Sequence, residues 1–223
     1  MAYQFDFVDV FRYTDVLVRG VGLTVTLIGV GGTLGIAVGI AGAWARGYSG
    51  NRVLEWLVAA YVESIRNTPF LVQLFFIFYG LPSLGVRLTE VQAALLAMVV
   101  NLGAYATEII RAGIEAVPRG QREAGASLAM TRMQVFRHIV LRPALQKIWP
   151  ALSSQLVIVM FGSAVCSQIA AEELTYAANF IQSRNFRAFE VYFVATGLYL
   201  VLALLLRQGM RSLGGWLVFG RRA

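Results

Sequence analysis

Charge is scarce in this chain: only 14% of its 223 residues are Asp, Glu, Lys or Arg, whereas 58% are hydrophobic. Soluble domains carry about a quarter charged residues, so lipid is the expected solvent. Cysteine is almost absent. Cys166 stands alone inside an apolar run, which excludes an intrachain disulfide framework and argues against a cysteine-based metal site. Histidine is limited to His138, beside Arg137 on a polar stretch, where a solvated or interface imidazole is expected rather than a ligand. No H-x-x-E-H spacing and no G-x-x-x-x-G-K-[ST] phosphate loop occurs, so no catalytic residue, metal or nucleotide site is expected on the chain itself. A basic leader is missing too: Asp6, Asp9 and Asp15 precede the first apolar run, and no signal cleavage is expected. Phe5, Val8, Phe11 and Val16 fall near helical spacing, compatible with a short amphipathic helix at a membrane surface or with an unstructured tail.

The charges that are present are mostly basic, 19 Lys and Arg against 12 Asp and Glu. Such an excess serves nucleic acid, an anionic surface, or the cytoplasmic loops of a membrane protein. Here the basic residues lie between long uncharged runs, so no nucleic-acid partner is expected and the lipid bilayer is.

Gly20 to Ala43 holds no charge and, at about 1.5 Å per residue, is long enough to cross a hydrocarbon core of about 30 Å. Gly31, Gly35 and Gly39 recur every fourth residue in it, forming a ridge on which another helix can approach closely. Further apolar runs place spans at about 57–80, 89–110, 148–171 and 190–210. Every one is expected to be helical, because a backbone group left unpaired in lipid costs several kcal/mol and no series of alternating ten-residue strands is present. The fold class is therefore all-α integral membrane, one domain over residues 1–223 with about five transmembrane helices. Placing the N-terminus outside assigns thirteen of the 19 basic residues to the inner loops and C-terminus and five to the outer side, with Arg66 unassigned. That bias predicts an external (periplasmic) N-terminus and a cytoplasmic C-terminus.

The longest polar connection, about residues 113–146, falls on the cytoplasmic side. Gln121 to Met130 is rich in helix formers, and Thr131 with Gln134 matches a capping box that would start a second helix. Pro143 is expected to stop that helix. Two short helices separated by a turn could form a lever that docks on another protein, and spacing alone fits an amphipathic surface helix equally well.

Glu123-Ala124-Gly125, then Ile139-Val140-Leu141 with a proline close behind, resembles the "EAA" loop of ABC importer permeases. Gly103 to Ile114, Val117 to Gln121, Arg66 to Gln73 and Phe186 to Glu190 are similar to the polar amino-acid branch of that family. The resemblance covers nearly the whole chain. It implies a type I (MetI-like) permease bundle with a cytoplasmic coupling helix in the bacterial inner membrane, paired with an identical or homologous permease. It also implies a cytoplasmic ATPase dimer holding ATP and Mg, and a periplasmic binding protein that delivers a polar amino acid. On this resemblance Gln121, Glu123, Ala124, Gly125, Leu128, Ala129 and Met130 are the expected ATPase-coupling residues.

Departures from the family pattern are also visible. Ala129 stands where the family has glycine at the turn, so a tighter or helical turn is expected. Arg142 separates Leu141 from Pro143, and Phe161 and Gly162 occupy positions where the branch carries Lys and Asp. Among polar groups inside spans, Gln73, Asn101, Ser154, Ser163, Ser167 and Gln168 are the candidates for a substrate path, each also explicable as a helix-to-helix hydrogen bond. Ser163 and Ser167, four apart, are expected to share a helix face. Glu63 and Arg66 are expected to form a structural ion pair, and Glu172, Glu173, Arg184 and Arg187 to lie in an outer loop. The competing function is an ATP-independent channel or secondary transporter, against which no proton-relay carboxylate is apparent within a span.

Overall fold

A computed structural model describes residues 5–220 of the chain. Arg221 and Arg222, counted above on the cytoplasmic side, lie outside the described residues. Ten α-helices follow one another among those residues: α1 (Val8–Phe11), α2 (Thr14–Tyr48), α3 (Arg52–Arg66), α4 (Phe70–Phe75), α5 (Glu90–Glu115), α6 (Arg119–Ser127), α7 (Arg132–Val135), α8 (Leu141–Gly162), α9 (Leu174–Asn185) and α10 (Ala188–Leu217). Four helical stretches are long and apolar enough to cross a membrane, at Thr14–Gly47, Glu90–Glu115, Met133–Ile169 and Ala188–Leu217, and a bent pair adds a fifth.

The pairing of α2 with α5 organises the bundle. In lipid no hydrophobic drive holds helices together, so close packing has to. A Cβ on Gly35 would come within 2.8 Å of Leu102, one on Gly31 within 3.5 Å of Met98, and one on Gly39 would collide with Ala106. Met98, Leu102 and Ala106 are themselves four residues apart, so the glycine ridge meets a matching row on α5. α8 covers the other side of α5, and Leu27, Leu74, Met98, Leu102, Leu156, Met160 and Cys166 close the shared core. Trp149 on α8 donates its Nε1–H to the Met210 carbonyl of α10 at 2.8 Å.

The structure redraws two of the expected spans. The second is not a straight helix but a pair, Arg52–Arg66 and Phe70–Leu84, bent by 111°. Pro69 caps α4 and cannot continue α3. The fourth begins well before residue 148, because Pro143 does not stop the helix. As the third residue of α8, Pro143 follows a widened stretch in which the Leu141 N–H reaches back to the Phe136 carbonyl, and such a wide turn accommodates the donor that a proline lacks. A wide π turn, Phe136–Val140, joins α7 to α8 directly. The C-terminal part of that span also changes character, since Ser163–Ile169 winds as a 3-10 helix. At the N-terminus α1 is a short helix held by Val10, which is buried with Leu17, Leu174, Ile181 and Val191, while Phe5, Val8 and Phe11 stay exposed.

Candidate functional site

The helix break between α3 and α4 carries a cluster of polar side chains. Ending α3 leaves its last carbonyls without intrahelical donors. The Arg66-to-Gln73 segment supplies them: Asn67 Nδ2 donates to the Glu63 carbonyl at 2.8 Å, Thr68 Oγ1 to the Ser64 carbonyl at 2.9 Å, and Gln73 Nε2 to the Ile65 carbonyl at 2.7 Å. The same amide donates to the Thr68 carbonyl at 3.0 Å. Asn101 Nδ2 on α5 then donates to Gln73 Oε1 at 2.9 Å. Two of the residues selected from the sequence for a substrate path are thus brought together, and both clasp the bend.

The other four do not join them. Ser163 is fully buried and its hydroxyl donates to the Met160 carbonyl at 2.6 Å, whereas Ser167 is half-buried and donates to Ala164 at 2.8 Å. They do not share a face: at about three residues per turn, a spacing of four rotates one side chain some 120° from the other. Ser154 and Gln168 are exposed. Phe161, in place of the branch's lysine, sets its ring edge-on to Tyr199 at 6.5 Å.

Glu63 and Arg66 do not pair with each other. Among the described residues the ion pairs at this end of the bundle link Arg46 to Glu108 at 3.0 Å, and Arg111 to both Glu108 and Glu115. Arg66 instead lies over the Tyr105 ring, 5.5 Å from its centroid. The i,i+3 and i,i+4 spacings of Glu108, Arg111 and Glu115 signalled part of this network. Nothing local in the sequence pointed to Arg46, which arrives from another helix.

Past the C-terminal end of α5, α6 and α7 form the two-helix hairpin expected from the sequence. Val117 and Val140 are buried there against Ile114 and Phe136. Gly125 is buried because α6 crosses the π turn at close range, and a Cβ there would stand 2.5 Å from Ile139 Cδ1. The turn is a Schellman cap, in which the Met130 N–H donates to the Gly125 carbonyl at 3.2 Å. Ala129 occupies its left-handed position, with φ of 56°, so the turn keeps the conformation that glycine favours rather than becoming tighter or helical. Thr131 and Gln134 complete the capping box at 2.8 and 3.3 Å. Gln121, Glu123, Ala124, Leu128 and Ala129 are exposed, Met130 half-exposed, and Leu128 and Met133 are 77% and 71% exposed. Two large apolar side chains therefore stand out from a braced hairpin.

At the opposite end, Glu173 is not a solvated loop residue. It is fully buried, accepts the Tyr176 N–H at 2.8 Å and the Tyr199 hydroxyl at 2.5 Å, and so caps α9. It lies between spans, and burial pushes its carboxyl above the usual carboxylate range. Leu174 N–H donates to Thr24 Oγ1 at 3.2 Å, where Gly20 lets α9 approach α2. Glu190 is also buried, beside Arg187 at 3.4 Å, and accepts the Asp6 N–H at 3.1 Å.

Residues 32–213 match the family of binding-protein-dependent transport system inner membrane components. A probable glutamine ABC transporter permease protein of Bacillus subtilis (strain 168), GlnM, is 38% identical over 160 residues, 72% of this chain and 74% of its own. A solved structure described as an amino acid ABC transporter with histidines is 33% identical, with a TM-score of 0.88 over 96% of this chain and 100% of that one. The inward-facing MetNI methionine ABC transporter shares the fold at 22% identity and a TM-score of 0.75, covering 89% of this chain and 94% of that one. The chain belongs to the family of binding-protein-dependent transport system inner membrane components, and is a membrane-spanning permease subunit of an ABC transporter.

Proposed function

We propose that this permease forms the path for a polar amino acid handed over by a periplasmic binding protein, with force supplied by separate ATPase subunits that hold ATP and Mg. The observation that carries the reading is the α6–α7 hairpin. Leu128 and Met133 project from it into solvent, while Gly125 and the capping box fix its shape. Exposed apolar anchors on a rigid hairpin suit insertion into a groove on a soluble partner. The relatives' names supply the amino-acid class. A second permease, homologous or identical, completes the path. The distribution of basic residues supports an outer N-terminus and a cytoplasmic hairpin and C-terminus. Ion-coupled transport without ATP is disfavoured, since Glu108 near the inner end of α5 is held between Arg46 and Arg111 rather than left free to carry a proton.

Reconstitution in proteoliposomes with partner permease, ATPase and binding protein tests this. ATP-dependent accumulation of an amino acid is expected, and Glu123→Lys, on the exposed face of α6, is expected to insert normally but lose at least tenfold in uptake. Accumulation in the absence of the ATPase would refute the reading.

A further inference from the structure

A groove of about 900 Å³ runs between α2, α8 and α10. Gly29, Thr33, Ala37 and Ala41 make its wall on α2; they recur every fourth residue and are all exposed, so their small side chains leave a furrow that larger ones would fill. Ile148 and Leu152 of α8 form the floor, and Leu213 and Leu217 of α10 the far wall. The Thr33 hydroxyl donates to the Gly29 carbonyl at 2.7 Å, and the Trp149 ring N–H to the Met210 carbonyl at 2.8 Å. Both donors are spent inside the protein, and the walls offer a polar solute nothing. Exposed Ser154, two residues on from Leu152, faces the opposite side of α8. From Ile28 to Trp44 the groove follows α2 for about 24 Å at about 1.5 Å per residue, longer than the hydrocarbon depth of one leaflet, about 15 Å.

At the end nearest the α6–α7 hairpin its chemistry changes. Trp44 lines it there and is 58% exposed, and tryptophan favours the level of lipid headgroups. Arg142 follows the lining residue Leu141 and is exposed. Its Nη2 lies 2.9 Å from the place of a Cβ on Gly220, so it reaches the chain just past Leu217. It has no ion-pair partner within 4 Å among the described residues. No acidic residue occurs between Glu123 and Glu172 or after Glu190, and Glu108 and Glu115 of α5 are engaged by Arg46 and Arg111. The groove is therefore apolar along its length and positive at its rim, the combination with which basic pockets between membrane helices hold anionic headgroups.

We propose that this groove binds an anionic phospholipid, with an acyl chain lying along Ala37 and Ile148 and the phosphate against Arg142. The lipid belongs to the leaflet on the hairpin side and bridges α2, α8 and α10. Its site does not depend on which solute the permease carries.

The test is native mass spectrometry of the detergent-purified permease–ATPase assembly, titrated with phosphatidylglycerol or with phosphatidylcholine of the same acyl chains. Wild type is expected to retain phosphatidylglycerol about fivefold more strongly, the effect of roughly one arginine at an anionic headgroup. Arg142→Gln is expected to erase that preference, and Ala37→Trp, which fills the furrow, to reduce retention of both lipids. Arg207→Gln, beside Leu204 and Leu205 on another face of α10, is expected to leave retention unchanged. Should Arg142→Gln fail to assemble, Ala37→Trp decides. Equal retention of the two lipids by wild type, a loss with Arg207→Gln as large as with Arg142→Gln, or undiminished retention by Ala37→Trp overturns the site. Absence of lipid from wild type, the result if a helix of the second permease fills the groove, overturns it too.

Discussion

Ala129 shows how a single residue can be out of character with its position and still obey it. The Schellman turn demands a left-handed residue after α6, and the alanine there adopts φ of 56°, which is unfavourable for a residue with a Cβ by roughly 1 kcal/mol. Packing around Gly125, Val135 and Ile139 holds the turn regardless. Ala129→Gly is therefore expected to relax the strain and slow hydrogen exchange at the Met130 amide about fivefold, the equivalent of about 1 kcal/mol. Unchanged exchange would mean that the turn is not strained. At this scale the sequence was only partly legible. Thr131 with Gln134 declared its capping box through spacing alone. Ser163 and Ser167 misled because a spacing of four means one face only in an α-helix, and no residue in Ser163–Ile169 announces a 3-10 winding. Gln73 and Asn101 were visible as polar groups in apolar runs, but their role as a clasp depends on a bend that brings Ile65 and Thr68 within reach of Gln73.

Among the elements, α2 and α5 follow most directly from the pattern of residues. A four-residue glycine repeat in a charge-free run predicts a close helix neighbour, and Met98, Leu102 and Ala106 provide it. Not all glycines of α2 share this duty: a Cβ on Gly29 would meet nothing within 4 Å. Gly39→Val is expected to destabilise the detergent-solubilised protein by about 1–3 kcal/mol through overpacking, with Gly29→Val close to neutral. Equal melting temperatures for the two variants would remove the ridge from the account. The second span and the fourth were harder to read, for opposite reasons. In one, the polar residues Glu63, Arg66, Asn67 and Thr68 ahead of Pro69 separate two apolar runs that the expected span joins into one, and the chain turns through 111° there. In the other, Pro143 looks like a terminator, but the π turn at Phe136–Val140 carries the helix into it and accommodates the donor it lacks. A proline's effect depends on how the turn before it is wound, which the spacing of residues does not reveal.

The whole molecule combines an apolar bundle with a polar hairpin beyond the C-terminal end of α5. Nearly all of the bundle could be expected from charge-free runs, because lipid imposes one rule on every span. The Arg46–Glu108–Arg111 network and the buried Glu173 could not, since each joins residues from different elements or hides a loop carboxylate against Tyr199. The proposed function requires, at this scale, that the hairpin face the cytoplasm and meet the motor there. Leu128, 77% exposed at its tip, reports on both. The most direct measurement is labelling of Leu128→Cys by a membrane-impermeant maleimide in right-side-out and inside-out vesicles, with and without bound ATPase. Cys166 is buried and gives the background. Labelling only in inside-out vesicles, and at least tenfold slower once the ATPase is bound, is the predicted result; labelling in right-side-out vesicles, or no protection by the ATPase, would contradict it.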